Sequence, residues 1–416
     1  MTDSIALLTS KVAEDWKILV YGAGNQGRGV VHTLQQRGIE PSGFIDRNPD
    51  LQGRFLAGLP VLAPTILSEP GAPDSLFVIV AVFFFERDIS TYLESIGFIK
   101  GLSYLPYSAL KPRDYVVEVS GVCNLRCISC ARADRHPANR NLTMMDLGSF
   151  KKVIDKIRLE DPFVGNIQLY QWGEPTINKS LPDMIHYARE NGILCTISSN
   201  LNYAADFGKL IDSRPECLRI SVSGTGENYA ITHTGGDWNI FVANVDRIAN
   251  LRRESYPEMK VELYYHRYKH NTDIQQEQLA EMCKRYDFEF HPVPAYLISL
   301  DDVLGYCEGK PLPDAAKRAR ELLLVDIDEG LAMAKAEAFL DCDALRVVMI
   351  NADLSVSICM MYYDLDGNTS AKNFLETSIE NITVRRPVSS LCARCRKYGI
   401  HRYCGIFAKI SEEERY

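Results

Sequence analysis

The length and composition of this chain are those of an ordinary globular protein: it has 416 residues, 46% hydrophobic and 24% charged, enough for two or three domains. The net charge of −8 argues against general attraction to nucleic acid or to anionic membrane, so we expect neither as a partner. The longest apolar run, residues 76–85, is too short to span a bilayer, and residues 1–11 carry no signal-peptide pattern, so we expect a cytoplasmic protein.

Strands alternate with helices in the first part of the chain, residues 1–108. Lys17–Tyr21 is a predicted strand, glycines follow it directly, and a helical pattern covers residues 28–37. A second strand ends at Asp46, a third covers residues 76–82, and a helix follows at 86–97. This alternation predicts an α/β fold with a small, Rossmann-like parallel sheet.

Three glycines, Gly22, Gly24 and Gly27, separate the first strand from the first helix, and Asp46 lies about 20 residues further on. Taken literally, this spacing predicts a bound dinucleotide such as NAD, but the part offers only one of the two halves that a dinucleotide crevice needs. Glycines here also serve a tight turn and close helix packing. Phosphate binding at the helix N-terminus and a purely structural or docking role therefore both stay open.

The same part resembles the small Rossmann-like domains attached to sugar O-acyltransferases and to nucleotide-sugar C-methyltransferases. It shares with them the turn Asp46-Arg-Asn-Pro49 and the downstream pattern Gly53…Gly58-Leu-Pro-Val61. The resemblance implies a pathway that handles nucleotide-sugars or surface polysaccharides.

Six strand and helix units follow in the second part of the chain, residues 109–310. Predicted helices, such as 145–157, 181–191 and 240–253, separate the strands. The predicted strands are 115–119, 166–170, 194–198, 218–223, 260–265 and 289–294. This order predicts a partial (β/α)6 barrel of the TIM type, in which chemistry takes place at the carboxyl ends of the strands.

A cluster of cysteines follows the first strand of this second part. In a cytoplasmic chain the twelve cysteines are not expected to form structural disulfides. Cys123, Cys127 and Cys130 share one tight loop. A cubane cluster normally takes four thiolates, so three leave one iron for a non-protein ligand. A zinc site or a group of reactive thiols is the alternative, although zinc sites usually appear as two separated cysteine pairs.

This loop resembles the signature of the radical S-adenosylmethionine (SAM) superfamily, whose three cysteines hold a [4Fe–4S] cluster. A glycine–glutamate motif, a Ser-Ser-Asn run and a serine-containing strand end follow in the order that the family shows. The resemblance implies that a carboxylate binds the SAM ammonium while hydroxyls and amides contact its ribose and carboxylate. The residues expected to bind SAM are Gly173, Glu174, Ser198, Ser199, Asn200, Ser221 and Ser223.

The resemblance also implies the chemistry. A flavodoxin or ferredoxin-type donor reduces the cluster, and one electron cleaves SAM to methionine and a 5′-deoxyadenosyl radical, which abstracts hydrogen from an unactivated carbon. The chain departs from the family in three places. Ser129 replaces an aromatic residue, Trp172 replaces a glycine, and no arginine follows Gly224 at the distance found in some relatives. None of these departures removes a cluster ligand.

The third part, residues 311–416, is predicted to begin with one long helical segment, 314–339, and then to become rich in cysteine. A hairpin is predicted from strands 345–350 and 354–359. Cys342 and Cys359 flank it, and Cys392 and Cys395 form a CxxC pair further on, which makes a four-ligand set.

This C-terminal, Cys-rich hairpin and helix extension resembles the short "twitch" form of the SPASM-type extension, which binds one auxiliary [4Fe–4S] cluster. The resemblance implies that Cys342, Cys359, Cys392 and Cys395 are its ligands. Cys404 is a fifth cysteine that is able to replace one of them, and a structural zinc ion is the alternative occupant.

The resemblance to enzymes with this arrangement implies that the chain is a radical SAM oxidoreductase or isomerase. Its expected reaction is the dehydrogenation or epimerisation of a carbohydrate or nucleotide-sugar. Tyr264, His266 and Arg267, near the end of the fifth strand, are candidates to anchor substrate or to act as acid and base, and Cys307 is a candidate hydrogen donor. Two other functions stay open: maturation of a ribosomally made peptide, as in many SPASM-type enzymes, and a non-catalytic zinc- and nucleotide-binding protein.

Overall fold

The computed structural model describes residues 2–82, 85–110, 113–133, 142–161, 164–271, 273–298 and 300–413. Phe83 and Phe84, in the predicted apolar run, lie outside these ranges. The chain forms two compact units. The first comprises Met1–Asp114, Ile157–Asn166 and Asn191–Leu194, and the second comprises Tyr115–Lys156, Ile167–Glu190 and Cys195–Tyr416. The predicted division into three parts, at residues 108 and 310, stays a prediction.

The first unit contains a six-stranded sheet in the order β3-β4-β2-β1-β5-β6, parallel except for the β3–β4 pair. Its strands are β1 (Lys17–Tyr21), β2 (Gly43–Ile45), β3 (Phe55–Leu56), β4 (Leu59–Leu62), β5 (Leu76–Val80) and β6 (Tyr104–Pro106). Its helices are α1 (Thr2–Ala13), α2 (Asn25–Gln35), α3 (Ala72–Ser75), α4 (Glu86–Ser95) and α5 (Tyr107–Leu110).

Both faces of this sheet are buried, which explains why β1 and β5 are continuous apolar runs. Side chains of a strand alternate between faces, so Val20 and Ile79 belong to one apolar cluster while Leu19 and Val78 belong to another. At roughly 25 cal/mol per Å² of apolar area, burying these runs on both faces is the main stabilisation of the unit.

The second unit carries six strands that lie side by side in the order in which they occur along the chain. They are β7 (Asp114–Val117), β8 (Asn166–Gln168), β9 (Leu194–Ser199), β10 (Cys217–Val222), β11 (Lys260–Arg267) and β12 (Glu289–Pro294). The helices between them are α6 (Leu147–Glu160), α7 (Leu181–Glu190), α8 (Phe207–Asp212), α9 (Glu227–Thr232), α10 (Trp238–Ser255) and α11 (Asp273–Tyr286). Parallel pairing brings the carboxyl ends of these strands to one edge of the sheet.

The C-terminal region extends this sheet beyond β7 with the antiparallel strands β13, β14 and β15. The first two form the predicted hairpin. Their bounds are β13 (Val347–Ile350), β14 (Val356–Ser357) and β15 (Thr369–Ala371). The accompanying helices are α12 (Leu300–Cys307), α13 (Asp314–Leu322), α14 (Ile327–Ala336), α15 (Ile379–Arg385), α16 (Ser390–Lys397) and α17 (Tyr403–Glu413).

The prediction of one helical segment over residues 314–339 is wrong, because the chain forms two helices there. Leu323, after α13, is extended, and Asp326 caps α14 by accepting a hydrogen bond from the Asp328 amide. The guanidinium of Arg320 bridges this break by binding the carboxylates of both aspartates. An aspartate competes for backbone amides and so favours a helix start over a helix interior.

The chain is therefore a mixed α/β protein with parallel sheets, as predicted. Within the described ranges, we find no helix with the length and apolarity needed to cross a bilayer.

Candidate functional site

The loop of Cys123, Cys127 and Cys130 follows β7 at the carboxyl edge of the sheet. Two main-chain hydrogen bonds hold it against the segment after α9: the Arg126 amide donates to the Thr234 carbonyl at 2.9 Å, and the Ile128 amide donates to the Thr232 carbonyl at 3.1 Å. The three cysteines are partly buried and free of disulfides. The loop is thus shaped by backbone bonds, which leaves its thiols available to a metal.

Burial raises the pKa values of all three thiols. The pKa of Cys123 rises to about 11, through burial first and then through the nearby Glu174 carboxylate. The pKa of Cys127 lies well above its usual value because of burial and of the neighbouring Cys130 and Cys123. Burial likewise raises that of Cys130. Three buried thiols in one loop do not ionise together without a cation, and the iron of a bound cluster would supply one.

Gly173 occupies a position that no other residue fits. A Cβ atom there would lie 1.8 Å from the Ser120 carbonyl oxygen and 2.8 Å from that of Val122. The next amide, of Glu174, donates to the Val122 carbonyl at 2.8 Å. The absent side chain therefore lets the loop after β8 run directly against the start of the cysteine loop.

Glu174 and Asn200 connect this loop to the cysteines. The Glu174 side chain is 2% exposed, and its carboxylate accepts hydrogen bonds from the Thr176 amide and hydroxyl and, at 2.8 Å, from the Asn200 amide. Burial raises its pKa, although these hydrogen bonds favour the ionised form. The Asn200 side-chain amide lies 3.8 Å from the Cys123 sulfur. The structure thus brings together three predicted site residues from three separate loops.

The four predicted serines fall into two groups. Ser199 and Ser223 are buried and hydrogen-bonded within the protein: the Ser199 hydroxyl accepts from the Leu201 amide at 3.0 Å, and that of Ser223 bonds to Thr232 and His233. Ser198 and Ser221 are partly exposed. These two are the serines whose side chains reach the accessible face of the sheet.

The candidates on β11 do not share one face. Tyr264 and His266 are partly exposed and lie on the face of Ser221, which is the register partner of Tyr264. Burial lowers the pKa of His266 to about 4, so its ring is neutral at pH 7. Arg267 lies on the opposite face, with Tyr265. The three residues lie within four positions of the chain, but only Tyr264 and His266 lie on the same face.

A network of paired charges occupies the same face, where Arg219 is the register partner of Ser198 and of Glu262. The Arg219 guanidinium binds Glu262 at 2.8 Å and donates to the Tyr264 hydroxyl at 2.7 Å. The Lys260 ammonium binds Glu262 at 2.7 Å and Glu289 at 3.0 Å. Despite burial, these cations hold the pKa of Glu262 well below its usual range. Two cations and two carboxylates balance, so the network presents hydrogen-bonding groups without net charge.

Cys307 lies away from this face. It ends α12 and packs against an apolar cluster of the C-terminal helices. Burial raises its pKa, with further contributions from the carboxylates of Asp328 and Glu308. Its surroundings are those of a small apolar side chain, and its predicted role as a hydrogen donor stays a prediction.

The second cysteine group lines a single small, partly open cavity. All four predicted ligands, Cys342, Cys359, Cys392 and Cys395, contribute to its wall. Burial raises the pKa of Cys395 to about 12 and also raises that of Cys359, and in both cases neighbouring thiols add to the effect. Four thiols that converge on one cavity fit the cysteine ligand set of a [4Fe–4S] cluster.

Cys404 does not line this cavity. Burial raises the pKa of its thiol to about 12, and its sulfur is hydrogen-bonded to the hydroxyl of Tyr296. The thiols of Cys359 and Cys342 contribute to this raised pKa, so Cys404 lies near the cavity, and the choice of the other four cysteines as ligands stays a prediction.

Among the residues that the structure describes, Glu262, Glu289 and His291 form a group of three potential metal ligands. Their ligand atoms lie within 4.8 Å of one another. The two carboxylates already bind Lys260, so this group belongs to the network of paired charges.

Two residues near the first cysteine loop were missed by the sequence analysis. The Tyr268 hydroxyl bonds to that of Ser129 at 2.6 Å, so an aromatic ring from the end of β11 stands beside the position where relatives carry one. The buried Arg132 guanidinium donates to the Gly121 carbonyl at 2.8 Å and to the Tyr363 hydroxyl at 3.0 Å. Tyr268 lies 139 residues after Ser129 in the chain, so sequence reasoning could not find the contact between them.

Packing explains part of the glycine pattern between β1 and α2, which consists of Gly22, Gly24 and Gly27. A Cβ atom at Gly27 would lie 1.8 Å from the Gly22 carbonyl oxygen, so this glycine permits close packing of α2. Gly24 has open space around it. The Asp46 carboxylate accepts from the amides of Ala23 and Asn48, at 2.8 and 2.9 Å, and thereby holds the loop. Nucleotide binding here stays a prediction.

Comparisons with known proteins give one curated relative. No protein-family model matches the chain. Fe-coproporphyrin III synthase of Methanosarcina barkeri is 32% identical over 108 residues, which are 26% of this chain and 24% of the relative. The match thus spans about a quarter of that relative's length.

Solved structures with similar coordinates include three that contain SAM. BtrN in complex with AdoMet and 2-DOIA is 15% identical, with a TM-score of 0.40 over 68% of this chain and 85% of that one. Native anSMEcpe with bound AdoMet is 15% identical, with a TM-score of 0.43 over 65% and 80%. SuiB of Streptococcus suis bound to S-adenosylmethionine is 14% identical, with a TM-score of 0.45 over 70% of each chain. The predicted resemblance to radical SAM enzymes is confirmed as a resemblance by the curated relative, over the 108 residues that it matches.

Proposed function

We propose that this chain is a radical SAM enzyme whose Cys123, Cys127 and Cys130 hold a [4Fe–4S] cluster with one iron left for SAM. The observation that carries the proposal is the junction of the cysteine loop with Gly173, Glu174 and Asn200. Three thiols with raised pKa values and a buried carboxylate converge there at the carboxyl ends of neighbouring strands.

The residues of this junction each have a defined task. When bound, the cluster supplies the electron that cleaves SAM to methionine and a 5′-deoxyadenosyl radical. Glu174, oriented by Thr176 and Asn200, offers its carboxylate to the SAM ammonium. Gly173 permits the close approach, and Ser198 and Ser221 are placed to contact the ribose and carboxylate. The partly buried loop limits water around the reacting atoms.

The fold assignment that accompanies this proposal is a partial barrel for β7–β12 and a Rossmann-like module for the first unit. Six strands in chain order with helices between them support the barrel. A glycine loop between β1 and α2, at the carboxyl edge of a parallel sheet, supports the module.

Cys342, Cys359, Cys392 and Cys395 are proposed to hold one auxiliary [4Fe–4S] cluster. The common cavity that all four thiols line supports this assignment. In a dehydrogenation the substrate radical would lose a proton and one electron as the ketone forms, and a cluster held by these four cysteines would supply an acceptor for that electron.

The substrate is proposed to be a carbohydrate or nucleotide-sugar that is dehydrogenated or epimerised. The face beyond Ser198 and Ser221 supports this class, because its charged groups pair off and leave hydroxyls and a neutral His266. Such a face suits a ligand with many hydroxyl groups better than a strongly charged one. A flavodoxin or ferredoxin-type protein is the proposed electron donor.

The proposed function is tested on protein purified and reconstituted without oxygen. Iron and sulfide analysis should give about eight of each per chain, as two cubane clusters require. SAM and dithionite should then yield 5′-deoxyadenosine. Zinc without sulfide would instead identify a non-catalytic binding protein.

The substrate class is tested by incubation with nucleotide-sugars in deuterated buffer. Incorporation of deuterium without other change of mass indicates epimerisation, whereas loss of a pair of hydrogen atoms indicates oxidation. Turnover of a peptide substrate, with no reaction of any sugar, would contradict the carbohydrate assignment and favour peptide maturation.

Cys395 and Cys404 provide a matched pair of variants for the second cluster. Cys395→Ser should remove about half of the iron, spare the formation of 5′-deoxyadenosine and abolish product formation, because its thiol lines the cavity. Cys404→Ser should keep full iron, because its sulfur bonds to Tyr296 instead. The ligand assignment is wrong if iron is lost from the Cys404 variant and retained in the Cys395 variant.

A further inference from the structure

Arg386 is a buried cation in the wall of the second cysteine cavity. It follows α15, its side chain is fully shielded from solvent, and it lines the same cavity as the four cysteines. Its guanidinium donates to main-chain carbonyls: Nε to Ile358, Nη1 to Leu345 and Val347, and Nη2 to Ala344. These acceptors are neutral dipoles, so they orient the guanidinium but do not balance its charge.

A buried charge normally requires a group of opposite sign, because removing an ion from water costs several kcal/mol even after relaxation. Burial accordingly lowers the pKa of Arg386, while the thiols of Cys359, Cys342 and Cys392 favour its charged form. The cavity that Arg386 lines also holds four cysteines, whose sulfurs become anionic when they bind iron and would then supply the opposite charge.

We propose that Arg386 is the counter-charge of the auxiliary cluster and raises its reduction potential. The inference rests on the proposed function of the four-cysteine group. A cubane held by four thiolates is anionic, and reduction adds another negative charge. A cation fixed nearby in a low-dielectric interior stabilises the more negative state more strongly. Arg386 acts through the cluster and is thus a positioning and tuning residue.

The test measures the potential of this cluster alone. In full-length protein, replacing Cys123, Cys127 and Cys130 together with Ala removes the first cluster, so a redox titration followed by electron paramagnetic resonance reports only the second. In this background, Arg386→Met should shift the potential to more negative values, and Arg386→Lys, which keeps the charge, should stay near the parent. Arg396→Met is the matched control: Arg396 lines the same cavity but is exposed, so water screens its charge.

The outcomes separate the two proposals. An unchanged potential in the Arg386→Met protein, or an equal shift in the Arg396→Met protein, overturns the role of Arg386 and leaves the cluster assignment standing. Loss of iron from Arg386→Met, but not from Arg386→Lys, supports the counter-charge by showing that retention of the cluster needs it. If the parent itself binds no iron at this cavity, both the cluster assignment and the inference fail.

Discussion

Replacing Cys127 with Ala is expected to reduce formation of 5′-deoxyadenosine from SAM and dithionite to the level of a protein-free reaction. Cys127 is the central ligand of the three, and its thiol interacts with both of the others. Two thiolates do not hold a cubane in the geometry that leaves a single iron open. Without that iron, SAM has no site at which to receive the electron, so the loss is complete rather than partial.

The control for this variant is Cys283→Ala, which removes a buried thiol from α11. Burial raises the pKa of Cys283 with no contribution from another thiol, so it stands apart from both cysteine groups. This variant should keep its iron and its cleavage of SAM. Undiminished 5′-deoxyadenosine from the Cys127 variant would refute the proposed enzyme class, whatever the second cluster does.

Replacing Gly173 with Ala should lower SAM cleavage about 100-fold, the loss that a displacement of about 1 Å at an active site brings. The added Cβ would lie 1.8 Å from the Ser120 carbonyl, so the loop after β8 must move away from the cysteine loop. Glu174 would move with it and lose its alignment with Asn200. Overpacking of this kind also costs about 1–3 kcal/mol of stability. SAM affinity reports on the altered position of Glu174, the cleavage rate reports on the displaced loop, and urea unfolding measures the loss of stability.

Gly208→Ala is the matched substitution, since Gly208 lies in α8 of the same unit and its added Cβ would meet an ordinary contact at 3.4 Å. Alanine is the better helix former, so this variant should be at least as stable as the parent and fully active. If both glycine variants cleave SAM at the parent rate, the close approach at Gly173 has no part in binding SAM.

Local patterns in the chain were sufficient for most strands and for the cysteine loop, but not for the break between α13 and α14. The alternation of apolar runs with helical stretches predicted strands such as Glu289–Pro294, whose bounds the structure reproduces. The spacing of Cys123, Cys127 and Cys130 predicted one shared loop, because residues within a turn or two are neighbours whatever the rest of the chain does. The same reasoning placed the hairpin of β13 and β14.

Contacts between distant residues needed the tertiary structure. The position of Cys404 outside the lining of the cavity was decided by the tertiary structure. So were the pairing of Arg219 with Glu262 and the approach of Tyr268 to Ser129, which join elements separated by tens of residues or more. Spacing along the chain says nothing about such contacts, because the energy that selects them comes from packing and charge pairing in the folded interior. The same holds for Arg386, whose burial among carbonyls beside four thiols is a property of the fold and not of its sequence neighbours.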